Sequence, residues 1–241
     1  AALGSVPRSI ADPITSNEVN VSGFLNILIA AKESSSLKQM VYAASSSTYG
    51  DSNKLPKIEG NEGNPLSPYA VTKLVNELYA DVFSRVYNFH TIGLRYFNIF
   101  GPKQNPRNPY AAVIPIFCKA FTEGQSPTIN GDGETSRDFT YVDNAVQANV
   151  RALFKADLDS HHVFNVACGE QTSLNEMIEM LKLWKDGESQ CPPPFQYTTS
   201  SLAMPTKLPT SQSGKYVEIS FDLSTADKSL TGCVLTAGIQ L

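Results

Sequence analysis

The sequence has little of what marks membrane, nucleic-acid-binding and disulfide-rich proteins. No run of apolar residues approaches the roughly 18 that span a bilayer. Basic residues are not in excess, because 19 Lys and Arg stand against 23 Asp and Glu for a net charge of −4. Neither a nucleic acid nor an anionic membrane is therefore an expected partner. The four cysteines and three histidines show neither metal-ligand spacing nor the density of a disulfide framework, so we expect no metal and a reducing, cytoplasmic location.

The pair Tyr69 and Lys73 points to proton chemistry. Residues four apart lie on one face of a helix, and an ammonium beside a phenol favours the phenolate. This matters because free tyrosine titrates near ~10 and is otherwise a poor base at neutral pH. The serines of an earlier run, Ser45, Ser46 and Ser47, could add a hydroxyl if a strand delivers them to the same cleft. Two alternatives need no catalytic role. One is a half-buried tyrosine with a solvated lysine, and the other is a serine-rich strand end whose hydroxyls hydrogen-bond to the backbone.

Local signals place these residues at a strand end and a helix start. Ser67 and Pro68 are typical of an N-cap and a first helical residue, and apolar residues recur at helical spacing from Leu74 to Phe83. A buried strand is predicted over 39–44, so its end carries the serines. Further helices are predicted from Asp12 to near Ser34 and over 112–123, 144–156 and 174–185, with Gly124 as a stop, and further strands over 91–97 and 163–167. The alternation implies a parallel sheet with helices on both faces.

Four motifs give the sequence its resemblance to a known family. They are Ser-Ser-Ser-Thr-Tyr-Gly at 45–50, Pro-Leu-Ser-Pro-Tyr-Ala-Val-Thr-Lys at 65–73, Leu-Arg-Tyr-Phe-Asn-Ile-Phe-Gly-Pro at 94–102 and Asn-Gly-Asp-Gly-Glu-Thr-Ser-Arg-Asp-Phe at 130–139. In this order and spacing they resemble the extended short-chain dehydrogenase/reductase family. Within it they most resemble the NAD-dependent nucleotide-sugar 4-epimerases that act on UDP-N-acetylhexosamines. The match runs from Ala1 to about Lys185, and the combination is far more specific than any one motif.

The resemblance implies an enzyme that uses NAD to remove and return a hydride at the sugar C4, through a 4-keto intermediate. The implied substrate is UDP-GlcNAc or UDP-GalNAc, with UDP-glucose or UDP-galactose as further choices. Tyr69 would be the base, Lys73 would lower its pKa and bond the nicotinamide ribose, and Ser45 would bond the same substrate oxygen. The residues implied at NAD are Ala1, Ala2, Tyr69, Lys73 and Tyr96.

The resemblance also implies a set of substrate positions. They are Gly4, Ser5, Ser46, Ser47, Asn98, Gln104, Ala112, Val113, Asn130 and Arg137. The first four would approach the sugar, Asn98 a phosphate or a sugar hydroxyl, and Asn130 the uracil, while Ala112 and Val113 would use backbone groups at the nucleotide. Arg137 would neutralise the diphosphate; its bland alternative is a surface ion pair with Asp138.

The implied fold class is α/β, with a doubly wound, parallel, Rossmann-like sheet and a smaller C-terminal substrate lobe. We expect residues 1–110 to form the C-terminal part of the NAD-binding domain and residues 111–241 to form mainly the nucleotide-sugar lobe. Segments near 138–168 would return to the Rossmann domain. From about residue 187 the Pro- and Ser-rich composition predicts an irregular tail, in which Ser220 to Leu230 weakly resembles the family's closing helix.

Two family features are absent from the sequence. One is the glycine-rich turn that lets backbone approach the NAD pyrophosphate, and the other is an Arg-x-Gly-Asp motif whose arginine helps hold the diphosphate. The first absence predicts that the chain starts after the first four strands of the sheet and is inactive alone, acting at most as a binding partner. The runner-up activity is a nucleotide-sugar dehydratase or decarboxylase, which usually has an acidic residue where this sequence has serines. The family's habit of dimerising through helices like 67–87 implies a homodimer of the full-length protein.

Overall fold

The computed structural model describes residues 2–107, 112–155, 159–185, 216–222 and 234–240. The chain divides into two compact units, Ala1–Leu202 and Ala203–Leu241. Within the described residues, the first unit contains the helices and a parallel sheet, and the second contains a β-hairpin. No helix in these ranges is both long and apolar enough to cross a membrane.

The helices and strands alternate along the first unit. In chain order the helices are α1 Val6–Ala11, α2 Pro13–Asn17, α3 Gly23–Glu33, α4 Pro68–Tyr87, α5 Val113–Thr122, α6 Val142–Leu153 and α7 Leu174–Lys185. The strands are β1 Gln39–Ser45, β2 His90–Tyr96, β3 Asn98–Phe100, β4 Ser136–Arg137, β5 Phe139–Tyr141, β6 His162–Val166, β7 Thr172–Ser173, β8 Tyr216–Asp222 and β9 Val234–Gln240. The helices and the long strands predicted for this unit are confirmed with ends that differ by up to three residues, whereas α1 and the short strands were not predicted.

The central sheet is parallel and has the order β1-β2-β6. Alternate residues of each strand point to opposite faces. On one face, Met40, Tyr42 and Ala44 pack against α3 and α4. On the other, Ile92 and Leu94 pack against the alanines of α6. Helices therefore cover both faces, which confirms the Rossmann-like fold class.

A buried ion pair joins α4 to β2. Arg95 of β2 donates from Nε and Nη2 to the two carboxylate oxygens of Glu77 on α4, at 2.9 and 2.7 Å. The guanidinium also reaches Glu62 in the loop before α4. Because a planar guanidinium matches a carboxylate in one orientation, this pair fixes the position of α4 on the sheet.

The buried face of α4 is more polar than its apolar pattern suggests. Leu78 and Val82 are 57% and 41% exposed, although both belong to the apolar series that predicted the helix. Thr72, Lys73 and Glu77 are buried instead. These polar side chains tolerate burial because each has a polar partner on a neighbouring segment, as the ion pair of Glu77 illustrates.

A second apolar cluster lies around α5 and α7. Phe117 and Phe121 of α5 pack with Met177 and Ile178 of α7. Short strands surround it, with β3 parallel to β5 and β4 antiparallel to β7. Gly124 ends α5 with a positive φ of 72°, as its sequence position predicts. The domain boundary expected near residue 110 stays a prediction.

The second unit corrects the expected irregular tail. Tyr216–Asp222 and Val234–Gln240 form an antiparallel pair in register from Tyr216 opposite Gln240 to Asp222 opposite Val234. Ser220, Phe221 and Asp222, assigned to a closing helix, lie in β8 instead. The physical reason is the alternation of apolar and polar residues over 217–222, which has the period of a strand. The rest of that predicted helix and the Pro-rich stretch fall outside the described residues.

Candidate active site

A cleft of about 1310 Å³ opens at the carboxyl ends of the parallel strands. Ser45 ends β1, Tyr96 ends β2, and Val166 ends β6; all three line the cleft. Open parallel sheets bind ligands at this edge because the connecting loops leave a crevice there. The volume exceeds the roughly 300–1,000 Å³ of a typical single-ligand pocket. The cleft therefore has room for two ligands side by side.

The serines form a tight turn at the end of β1. Ser45 Oγ accepts hydrogen bonds from Ser47 N–H at 3.2 Å and from the Ser47 hydroxyl at 2.9 Å. Thr48 Oγ1 donates back to the Ser45 carbonyl at 2.8 Å. All three serines, Ser45, Ser46 and Ser47, line the cleft. The turn holds the Ser45 hydroxyl in one place while leaving it facing the cleft.

Tyr69 and Lys73 lie in the first two turns of α4. Ser67 caps this helix by accepting a hydrogen bond from Ala70 N–H at 3.1 Å, as the sequence predicts. The Lys73 ammonium donates to the Ala43 carbonyl of β1 at 2.7 Å and lies 5.9 Å from the centroid of the Tyr69 ring. The Lys73 residue is only 4% exposed, so the alternative of a solvated lysine is wrong.

Burial moves both groups toward their neutral forms. Desolvation raises the pKa of Tyr69, and an interaction with the Ser45 hydroxyl opposes that rise. Desolvation lowers the pKa of Lys73, and the charge of Glu77 opposes that fall. The expectation of a lowered Tyr69 pKa is thus wrong for the protein without ligands. The physical reason is that the Lys73 ammonium is held by a backbone carbonyl and the phenol is buried.

The cleft gathers eight of the predicted site residues. They are Ser45, Ser46, Ser47, Tyr69, Lys73, Tyr96, Asn98 and Arg137. Seven others lie outside its lining: Ala2, Gly4, Ser5, Gln104, Ala112, Val113 and Asn130. Ala1 falls outside the described residues. The roles assigned to all sixteen stay predictions.

Several predicted substrate residues already have protein partners. Asn98 Nδ2 donates to the Asp138 carbonyl at 3.0 Å, and Arg137 Nη1 donates to the Ser136 carbonyl at 2.7 Å. Gln104 Nε2 donates to the Ile99 carbonyl at 3.1 Å, which ties that side chain to its own loop. Arg137 and Asp138 are both described and form no ion pair with each other, because the Asp138 carboxylate is bonded elsewhere. The Arg137 guanidinium keeps donors that face the cleft.

The cleft also has a wall that the sequence reasoning missed. The loop 55–59 forms one side. Asn165 of β6 fastens it, since its Nδ2 donates to the Lys57 carbonyl at 2.9 Å and its backbone N–H donates to Glu59 at 2.6 Å. Asn165 Oδ1 also accepts from the Tyr49 hydroxyl at 2.8 Å. These partners are more than a hundred residues from Asn165 in sequence, so no local pattern could have indicated them.

Polar residues of α6 complete the lining. Asn144, Gln147 and Arg151 all face the cleft. Their spacing of three and four residues puts them on one helix face. That spacing was visible in the sequence as a polar stripe, and it was not used.

Comparisons with known proteins agree with this geometry. Residues 1–167 match the model of the NAD dependent epimerase/dehydratase family. The chain belongs to this family. A putative UDP-glucose 4-epimerase of Methanocaldococcus jannaschii is 37% identical over 183 residues, which cover 76% of this chain and 58% of the relative.

Two solved structures of epimerases have the same fold. The UDP-N-acetylglucosamine 4-epimerase from Methanobrevibacter ruminantium M1, in complex with UDP-N-acetylmuramic acid, matches with a TM-score of 0.72 and 40% identity over 79% of this chain and 59% of that one. The UDP-glucose 4-epimerase from Thermotoga maritima, with UDP-glucose, matches with a TM-score of 0.72 and 33% identity over 79% of this chain and 60% of that one. This member of the family thus spans about three-fifths of the length of these relatives.

Proposed function

We propose that this protein takes part in the NAD-dependent 4-epimerisation of a UDP-sugar. The observation that carries the proposal is the meeting of Ser45, Tyr69 and Lys73 at one cleft, on a strand end and a helix start that are distant in sequence. A phenol, a hydroxyl and a buried ammonium in this arrangement can move a proton to and from an alcohol. Membership of the NAD dependent epimerase/dehydratase family supports the same chemistry.

The residues of the cleft fit a nicotinamide cofactor. Of the three N–H donors of an ammonium, Lys73 uses one on a described acceptor, the Ala43 carbonyl; the others can take ribose hydroxyls. Lys73, Tyr69 and Tyr96 would hold the nicotinamide end, with Ala2 and Ala1 also assigned to the cofactor. When bound, NAD supplies the hydride acceptor. The cleft volume leaves space beside it for a sugar.

In this proposal the protein's own residues handle the proton. In its ionised form, as the phenolate, the Tyr69 oxygen would accept the proton of the sugar 4-hydroxyl and return it after the 4-keto sugar has turned over. Ser45 bonds the same sugar oxygen and holds it in line with Tyr69, because its own hydroxyl is fixed by Ser47. Lys73 supplies positive charge beside the reacting groups.

We propose a UDP-N-acetylhexosamine as the substrate. The motifs that surround the cleft support this choice, and so does the similarity to the Methanobrevibacter UDP-N-acetylglucosamine 4-epimerase. Arg137 would bond the diphosphate, and Ser46 and Ser47 the sugar. Gly4, Ser5, Asn98, Gln104, Ala112, Val113 and Asn130 keep the substrate roles predicted above.

Dehydration and decarboxylation are less well supported. Family members with these activities usually have an acidic residue beside the catalytic hydroxyl, whereas the residues next to Ser45 are serines. Glu59 and Asp138 line the cleft, but each accepts backbone N–H hydrogen bonds, Glu59 from Asn165 and Asp138 from Cys168 and Gly169. These hydrogen bonds already engage at least one oxygen of each carboxylate.

We also propose that the full-length protein is a cytoplasmic homodimer. The exposed apolar side chains of α4, Leu78, Val82 and Val86 among them, support pairing of this helix with its copy, since contiguous exposed apolar surface usually marks an interaction site. Cys118 and Cys168 are free thiols, which suits a reducing compartment.

The test is an assay on two proteins. One is the 241-residue chain, and the other is a chimera in which the glycine-rich turn and first strands of the Methanocaldococcus relative precede it. Each is incubated with NAD and UDP-GlcNAc, and separately with UDP-glucose, while the sugar signals are followed by proton NMR. We expect the C4 epimer to form with the chimera, faster from UDP-GlcNAc, and no turnover by the chain alone. A 6-deoxy-4-keto product would overturn the proposal.

A further inference from the structure

Asp138 joins three segments at the rim of the cleft. Its carboxylate accepts hydrogen bonds from Cys168 N–H at 3.0 Å, from Gly169 N–H at 2.7 Å and from Thr140 Oγ1 at 3.0 Å. Its backbone carbonyl accepts from Asn98 N–H at 3.2 Å and from Asn98 Nδ2 at 3.0 Å. One residue thus ties the exit of β2 and the loop after β6 to the β4–β5 segment.

Each of these segments presents groups to the cleft. Asn98 follows β2, Arg137 precedes Asp138, and Gly169 follows β6; all line the cleft, and so does Asp138 itself. In extended backbone, successive side chains point to opposite sides. Because the Asp138 carboxylate is held by the backbone amides after β6, the adjoining Arg137 side chain is directed away from that loop.

The Asp138 carboxylate is already bonded within the protein. A carboxylate that accepts two backbone N–H groups and a hydroxyl has most of its acceptor sites filled. It therefore does not need the Arg137 guanidinium as a partner, and the structure shows no ion pair between these two described residues. The Arg137 guanidinium donates from Nη1 to the Ser136 carbonyl, and its remaining N–H groups are available for an anion.

We propose that Asp138 is a positioning residue whose carboxylate orients Arg137 toward the diphosphate of the bound nucleotide sugar. The proposal rests on the proposed function, which supplies the diphosphate. It assigns Asp138 no contact with the ligand. Its effect on ligand affinity passes through Arg137, and this separates it from a residue that merely stabilises the fold.

The test is a double-mutant cycle with UDP as the probe. The affinity of the 241-residue chain for UDP is measured by calorimetry for the wild type, Asp138→Asn, Arg137→Ala and the double variant. Asparagine keeps the shape but puts an NH2 group where one oxygen accepted a backbone N–H. We expect Asp138→Asn to weaken UDP binding by about tenfold, a factor within the coupling range of contacting residues, and by less than about twofold when Arg137 is already alanine.

A control and a ligand-free readout complete the test. Asp132→Asn alters a carboxylate that accepts Glu134 N–H at 3.0 Å in an exposed loop, and UDP affinity should not change. Amide hydrogen exchange without UDP should show Cys168 and Gly169 protected in the wild type and in Arg137→Ala, and at least one of the two amides unprotected in Asp138→Asn.

The outcomes are distinguishable. Independent, additive effects of the two substitutions on UDP affinity would overturn the positioning role while leaving the proposed function intact. Unchanged protection of both amides in Asp138→Asn would overturn it as well. Failure of the wild type to bind UDP would overturn the proposed substrate class, and with it the role of Asp138 toward a diphosphate.

Discussion

At the scale of single residues, the polar groups of the site differ in the hydrogen bonds that they make within the protein. The Lys73 ammonium is tied to the Ala43 carbonyl and the Ser45 hydroxyl to Ser47, whereas no described hydrogen bond occupies the Tyr69 hydroxyl beyond its interaction with Ser45. The group proposed to exchange a proton with the substrate thus contacts the hydroxyl that is proposed to bond the same sugar oxygen. Burial raises the pKa of Tyr69 and so favours the neutral phenol in the protein without ligands.

Substituting Tyr69 with Phe separates proton transfer from binding. In the chimera with the glycine-rich turn, we expect turnover to fall by about 10²–10⁴-fold, because a phenyl ring cannot accept the proton of the sugar hydroxyl. UDP affinity should stay nearly unchanged, because the variant loses one oxygen and little contact area. Both quantities are measured on the same preparation.

The matched control for this variant is Tyr87→Phe on the same helix. Tyr87 is 52% exposed at the far end of α4 and should tolerate the loss of its hydroxyl. Near-normal turnover in the Tyr69 variant would remove this residue from the mechanism.

His161 gives the stability of the protein a pH dependence. Its ring stacks on Tyr42 at 6.0 Å, Nδ1 meets the Thr91 hydroxyl at 2.8 Å, and its buried Nε2 has no partner among the described residues. Burial lowers the pKa of His161, with smaller effects from the Thr91 backbone and from Asp81, His162 and Arg95. The folded protein therefore resists the proton that the unfolded chain takes up near 6.5.

The sign follows from this difference in proton binding. Stability from His161 is present above the unfolded pKa and is lost as the pH falls below it toward the folded value. We expect the free energy of unfolding, measured with urea, to be lower at about pH 5.5 than at about pH 7.5, and His161→Phe to reduce that difference. His162→Gln, which alters a more exposed side chain, should keep it. An equal pH dependence in wild type and His161→Phe would refute the prediction.

At the scale of elements, α4 carries both the candidate base and the main buried charge. Glu77 and Arg95 are 6% and 3% exposed. Glu77→Ala leaves the guanidinium with only Glu62 as a charged partner and should lower the free energy of unfolding by about 3–5 kcal/mol. Asp81→Ala, which breaks the exposed pair with Arg85 on the same helix, should cost less than about 1 kcal/mol. Urea unfolding of both variants measures the two losses in the free energy of unfolding. Equal losses would contradict the larger contribution that we assign to the buried pair.

The same helix shows how far sequence reasoning reaches. Its start was predictable because Ser67 and Pro68 act within one turn of it. Its polar buried face was not, because Thr72 accepts from Asn20 Nδ2 at 3.1 Å and Glu77 needs Arg95 from the next strand. Motif resemblance grouped Ser45, Tyr69 and Lys73, and all three line one cleft; their roles stay predictions. Sequence reasoning missed Asn165 because this residue holds the cleft wall through partners that only the fold brings near it.

At the scale of the whole molecule, the C-terminal region departs from the expected irregular tail where it forms β8 and β9. Its Pro- and Ser-rich part suggested irregular structure, and a weak family resemblance suggested a helix. The alternation of Val217, Ile219 and Phe221 with polar residues was the better signal, because a strand needs only period two. The spacing of apolar residues depends on the local backbone conformation. A family resemblance predicts the wrong element where the sequence departs from the family's pattern.

The affinity for NAD depends on several segments of the chain, because different segments hold the pyrophosphate and the nicotinamide ribose. The family's dinucleotide is held by backbone N–H groups at a glycine-rich helix start, and the 241 residues contain no such turn. Lys73 and Tyr69 can hold the nicotinamide ribose, but no comparable cradle for the pyrophosphate is found in the sequence. We therefore expect calorimetry to show very weak NAD binding by the chain and tight binding by the chimera that carries the turn. Tight, stoichiometric binding by the 241-residue chain would mean that another of its segments cradles the pyrophosphate.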